Sequence, residues 1–159
     1  MTQPNPQARQ RGHKALRKGR SSNTGGVYLL TATTLDRVPL FLDFHKACVI
    51  ARCFETRLAL RNNHLLAWVL MPDHAHWLLH LGEGERLETS IGRLKAVSAR
   101  YFNQVYKRRG AIWATAFHDH ALRSEDDLLP IARYVVANPV RAGLVKRPGD
   151  YPFWNAVWL

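Results

Sequence analysis

One stretch, LLAWVLMPDHAHWLLHL at residues 65–81, constrains the fold more than any other part of the chain. An apolar run long enough for a buried strand, and too short for a membrane span, meets Pro72-Asp73 and then resumes. Pro72 supplies the fixed φ favoured in a turn, so the stretch reads as strand, tight turn, strand. In the second strand His74, His76, Leu78 and His80 share one face, while Ala75, Trp77, Leu79 and Leu81 share the other. One face has the composition of a core and the other carries chemistry. Imidazoles at i and i+2 of a strand point the same way with Cβ atoms roughly 6 to 7 Å apart, close enough to converge on one metal ion. A packed or surface histidine is the plainer reading of each alone; the His-Ala-His triplet puts metal binding beside it.

The flanking segments fall into place around this hairpin. Residues 27–34 are rich in β-formers and read as a first strand. Apolar positions Phe44, Ala47, Cys48, Ala51, Phe54 and Leu58 recur at three and four, which predicts a helix over 43–61. A longer helix over 85–109 would bury Leu87, Ile91, Leu94, Tyr101 and Val105. Residues 112–123 read as a fourth, edge strand containing His118-Asp119-His120. Its histidines fit structural or surface roles, with substrate contact as the alternative. Ser124 and Asp127 have capping-box spacing, and Pro130 requires the last helix to begin near Asp127. That helix would end at Ala137, where Asn138 precedes Pro139, with Leu128, Ile131, Ala132, Val135 and Val136 inward and Tyr134 and Asn138 one turn apart on its polar border. The order is that of an α+β, ferredoxin-like split βαβ domain: a four-stranded antiparallel sheet, two helices on one face, and an extra C-terminal helix.

The chain of 159 residues suits a single domain over 27–159, preceded by a disordered basic tail over 1–26 that contains no acid. The formal charge of +11 points to a polyanionic partner. An acidic membrane surface would demand a basic helix with a bulky apolar face, and none is present. Arg86, Arg93, Arg100 and Lys107 fall at seven-residue intervals, a basic ridge with about 10.5 Å between charges that is either a solvated face or a phosphate-tracking surface. Cys48 and Cys53 match neither a zinc nor a disulfide spacing, and residues 1–26 hold no apolar run for a signal sequence. The expectation is a cytoplasmic, nucleoid-associated protein, a monomer rather than a dimer.

Four strings, MPDHAHWLLHL, WATAFHDHALRSEDDL, ARYVVANPVRAGLV and GDYPFW, resemble in order and spacing the REP-associated tyrosine transposases of bacteria. These are relatives of the single-tyrosine insertion-sequence transposases within the HUH endonucleases. The resemblance implies cleavage and rejoining of single-stranded DNA at palindromic hairpin repeats (repetitive extragenic palindromes), with a divalent metal and one tyrosine nucleophile. By motif, it implies His74 and His76 as metal ligands, Tyr134 as nucleophile, and Asn138 as the side-chain oxygen completing the metal site. The insertion-sequence relatives look to carry glutamine at that last position. Mixed imidazole and oxygen ligands suit Mg2+ or Mn2+. Arg86, Arg93, Arg100, Lys107, His120 and Arg123 complete the candidate set as DNA contacts. Tyr106, near cations at the end of the long helix, is the one substitute nucleophile, since nearby positive charge would lower its pKa. A non-catalytic ferredoxin-like nucleic-acid binder is the alternative function; it would need exposed aromatics on adjacent strands where this chain offers histidines.

Overall fold

The computed structural model describes residues 24–123 and 126–158. The expected tail up to residue 23, and Ser124 of the expected capping box, lie outside the described residues. Strands β1 (Val27–Thr33), β2 (His64–Met71), β3 (His74–His80), β4 (His118–Ala121) and β5 (Trp154–Ala156) form one antiparallel sheet in the order β4-β1-β3-β2-β5. The first four strands have the expected split βαβ order. β5 adds a short strand to the outer edge of β2, so the four-stranded expectation becomes five. No helix among the described residues is long and apolar enough to cross a membrane.

Alternation along the strands sorts side chains into two cores. Tyr28, Leu30 and Ala32 of β1, Trp68 and Leu70 of β2, and Ala75, Trp77 and Leu79 of β3 pack against helices α1 (Phe44–Phe54) and α3 (Leu87–Val105). Ala67, Val69, Met71 and Leu78, on the opposite face, meet Ala132, Val135 and Val136 of α4 (Leu128–Val136). Fully burying one valine side chain is worth about 1.5 to 3 kcal/mol. Val135 and Val136 together therefore contribute about 3 to 6 kcal/mol to the docking of α4.

The helices differ from expectation where polar groups intervene. α1 is capped by Asp43, whose carboxylate accepts from Lys46 N at 3.0 Å, and it stops at Phe54. Thr56 then caps a separate turn, α2 (Arg57–Leu60), and Leu58 and Phe44 are exposed. In α3 the buried stripe is Leu87, Ile91, Leu94, Ser98 and Phe102, while Tyr101 and Val105 are exposed. Ser98 belongs inside because its hydroxyl donates to Leu94 O and accepts from Trp113 Nε1 at 3.0 Å. Asp127 caps α4 by accepting from Leu129 N, so Pro130 falls in the first turn, where a missing N–H is harmless. Asn138-Pro139 does not end the helical path: α5 (Asn138–Arg141) follows at once.

Candidate functional site

The turn joining β2 to β3 is held from two sides. Thr34 N and Thr34 Oγ1 both donate to Asp73 O, at 2.8 and 3.1 Å, and Phe41 N donates to Pro72 O at 3.0 Å. Immediately after it, His74 and His76 project from the same face with ring centroids 4.9 Å apart and planes at 83°. Each ring is fixed through Nδ1. His74 Nδ1 donates to Asp73 Oδ1 at 2.7 Å, and Arg37 Nε holds the other carboxylate oxygen at 3.1 Å. His76 Nδ1 is hydrogen-bonded to Thr31 Oγ1, also at 2.7 Å, because β1 pairs Thr31 directly opposite His76. Burial, and then the charges of His74 and Arg141, push the His76 pKa down to about 4. A neutral imidazole at ordinary pH keeps a lone pair for a cation.

Helix α4 lies on this face. It turns Tyr134 outward, with 56% of its surface exposed, while Val135 and Val136 anchor the backbone. Pro139 has no N–H to give back to the preceding turn. Asn138 Nδ2 takes that place by donating to Val135 O at 2.9 Å, and Arg141 Nη1 donates to the neighbouring Tyr134 O, also at 2.9 Å. The Arg141 guanidinium carbon also stands 3.8 Å from the centre of the Tyr134 ring. With the amide nitrogen of Asn138 facing backbone carbonyls, its oxygen is the end free to serve as a ligand. Among the described residues no three His, Cys, Asp or Glu side chains gather into a metal set. Two imidazoles and an amide oxygen are a different donor set.

The remaining candidates are scattered. Arg93 is not part of an open ridge: its side chain is 13% exposed, paired with Glu85 at 2.8 Å and bonded to the carbonyls of Ala59 and Leu60. Arg86, Arg100 and Lys107 are exposed, but α3 packs on the sheet face opposite the histidines, and Lys107 lies past its last turn with φ +50°. His120 pairs with Leu29 and His118 with Thr31, so the register places both on the face of His74 and His76. Arg123 and His80 border a cavity of about 570 Å³ at the other end of that face. Tyr106 departs from expectation, since burial, then Asp43 and Cys48, raise its pKa. Tyr151 is engaged with Leu70 O, and burial pushes it up to about 12. Sequence reasoning missed Thr31, Arg37 and Arg141. For Arg141 the seven-residue step from Tyr134 was a usable signal; the other two are brought in only by strand pairing and by a loop with left-handed Asp36 and Arg37.

Residues 30–138 match the family described as Transposase IS200 like. The chain is 29% identical over 153 residues, covering 84% of itself and 81% of the relative, to a Haemophilus influenzae protein assigned as a REP-associated tyrosine transposase. It is 31% identical over 87 residues, 55% of this chain and 50% of the relative, to the REP-associated tyrosine transposase of Escherichia coli. Among solved structures, a REP-associated tyrosine transposase bound to a REP hairpin superposes with a TM-score of 0.61 at 25% identity, over 85% of this chain and 79% of that one. With this match spanning both the histidine hairpin and the helix of Tyr134, the chain belongs to the IS200-like transposase family.

Proposed function

We propose that this protein is a metal-dependent endonuclease and strand transferase acting on single-stranded DNA at palindromic hairpin repeats. The observation that carries the reading is the pair of imidazoles meeting at 4.9 Å, each with Nδ1 already occupied, on the face where α4 presents an exposed tyrosine. Occupied Nδ1 atoms leave Nε2 of His74 and His76 as donors, and Asn138 adds an amide oxygen. That donor set fits Mg2+ or Mn2+ with positions left open for phosphate oxygens. Such an ion, when bound, supplies Lewis-acid polarisation of the scissile phosphate. Asp73 and Thr31 fix the orientation of the two rings, the work that partners of metal-ligating histidines generally do.

Tyr134 supplies the nucleophile. Its phenol proton passes to solvent, the phenolate oxygen bonds to phosphorus, and the bond from phosphorus to the 3′ oxygen breaks. The products are a 5′-phosphotyrosine link and a strand whose 3′ oxygen takes up a proton. The same 3′-OH attacking the phosphotyrosine reverses the step and joins strands. At a pKa near 10, about one free tyrosine in several hundred is phenolate near pH 7.5, so orientation matters more than abundance. The hairpin substrate is carried over from the relative bound to a REP hairpin.

The test is adduct formation with a labelled single strand carrying a hairpin, resolved under denaturing conditions with Mg2+ or Mn2+ present. Wild type should form a covalent adduct. Tyr134→Phe should bind DNA and form none, and His74→Ala with His76→Ala should lose metal-dependent cleavage while keeping most of the affinity. Cleavage by the double histidine variant would remove the metal assignment. Nucleotide mass on the peptide of Tyr106 would make that residue the nucleophile. No adduct from wild type under any metal would leave a DNA-binding protein without strand chemistry.

A further inference from the structure

Arg141 lies against Tyr134, and its role in strand cleavage rests on Tyr134 being the nucleophile. Arginines held in place by this fold mostly face a carboxylate: Arg37 meets Asp73, Arg93 meets Glu85 and Arg147 meets Asp150. Arg141 is held at two points, by its stack on the Tyr134 ring at 3.8 Å and its bond to Tyr134 O at 2.9 Å. No carboxylate among the described residues neutralises it. Only Nη1 is used, which leaves Nε and Nη2 of the planar fork for an anion.

We propose that Arg141 positions Tyr134 for attack and receives the scissile phosphate on its unused N–H groups. An exposed tyrosine left to itself samples several rotamers, and its oxygen would be misplaced for much of the time. The stacked guanidinium removes that freedom at the ring, while its bond to the Tyr134 carbonyl ties it to the same residue's backbone. The turn at Asn138-Pro139 makes this possible. α5 is short and begins at once, and Arg141 at its end reaches back to Tyr134 in α4. A purely structural alternative exists, because a cation bonded to a carbonyl at the end of α4 also caps that helix. Lysine could replace arginine in that duty; it could not replace the stack and the fork.

The experiment is single-turnover adduct formation across a range of hairpin DNA concentrations, with wild type, Arg141→Ala and Arg141→Lys, alongside thermal melting of each. The rate at saturating DNA should fall about 100-fold in Arg141→Ala, the scale of losing a positioned transition-state contact, while the half-saturating DNA concentration moves less than about fivefold. Arg141→Lys should melt like wild type and still be slowed at least about tenfold. Guanidinium chloride at millimolar concentration should restore part of the rate to Arg141→Ala and none to Tyr134→Phe. A saturated rate within twofold of wild type in Arg141→Ala, or full rate in Arg141→Lys, overturns the proposal and leaves a helix cap. Should Arg141→Ala fail to fold, the lysine variant decides alone. Failure of wild type to form any adduct removes the nucleophile and this proposal together, whereas an adduct indifferent to residue 141 removes only the role of Arg141.

Discussion

Arg93 and Glu85 form the most enclosed ion pair among the described residues, with side chains 13% and 8% exposed. The guanidinium also donates to the carbonyls of Ala59 and Leu60, so it ties the end of α2 to α3. Burial alone would raise the Glu85 carboxyl. Hydrogen bonds from Arg93 and from the backbone N–H of Asn62, with the Arg93 charge, bring it below its ordinary 4.5 instead. Removing one partner of an enclosed pair strands the other charge, so Arg93→Ala should cost about 3 kcal/mol at neutral pH, the lower end of such losses. A carboxyl whose pKa is depressed by folding stabilises fully above its unfolded value and loses that contribution as pH falls through the folded one. The difference in denaturation midpoint between wild type and Arg93→Ala should therefore shrink as pH drops below about 4.5. A constant difference into the acid range would assign the effect to the carbonyl bonds.

At the scale of elements, the hairpin of β2 and β3 is closed at both ends. The Pro72-Asp73 turn closes one, and the exit of β3 is closed at the other, where Gly82 N donates to Asn63 Oδ1 at 2.9 Å and Asn63 Nδ2 donates to Ser90 Oγ at 2.8 Å. A Cβ at Gly82 would collide with the Asn62 carbonyl, whereas Gly84, Gly92 and Gly110 have open space. Backbone cannot step aside as a flexible side chain can. Gly82→Ala should destabilise by about 1 to 3 kcal/mol, read in urea unfolding, where Gly92→Ala should do no harm. This hairpin and α4 were legible in the sequence because their patterns are local: alternation on β3, Pro130 placing the start of α4 near Asp127, a 3.6-residue stripe on α4. What was not legible depends on partners distant in the chain. β4 is four residues rather than twelve: the start of the expected strand meets the end of β1 only through the single bridge of Trp113 to Thr34, and Lys95 donates to the carbonyls of Ala114 and Thr115 just after it. β5 has three residues and exists only as an addition to β2. Ser98 is accommodated inside because Trp113, distant in the chain, donates to it. The pairing of His74 with His76 and the place of Tyr134 beside Asn138 were readable, and the seven-residue step from Tyr134 pointed to Arg141, but Thr31 and Arg37 arrive through strand pairing and a left-handed loop that no spacing rule announces.

For the whole molecule, a charge of +11 acts in two separable ways. Its long-range field attracts DNA from any direction, while the salt dependence of equilibrium binding counts the phosphates that are neutralised. Exposed Arg100 and Lys107 belong to the helical layer, whereas Arg123 lies with the histidine face. A helix about 10 Å across packed on a sheet puts its outer surface well beyond one Debye length, about 8 Å at physiological salt, from a strand lying on the other face. A short single strand seated at His74 and His76 should then be indifferent to the ridge. We expect Arg123→Ala to lower the slope of log affinity against log salt by about 0.7, one phosphate of a single strand, and Arg100→Ala with Lys107→Ala to leave it unchanged. Titrating a short unpaired oligonucleotide by fluorescence anisotropy over a range of salt concentrations measures both. A fall approaching about 1.4 in the ridge variant would place the strand on the helices instead, and the histidine face would lose its claim to be where DNA lies.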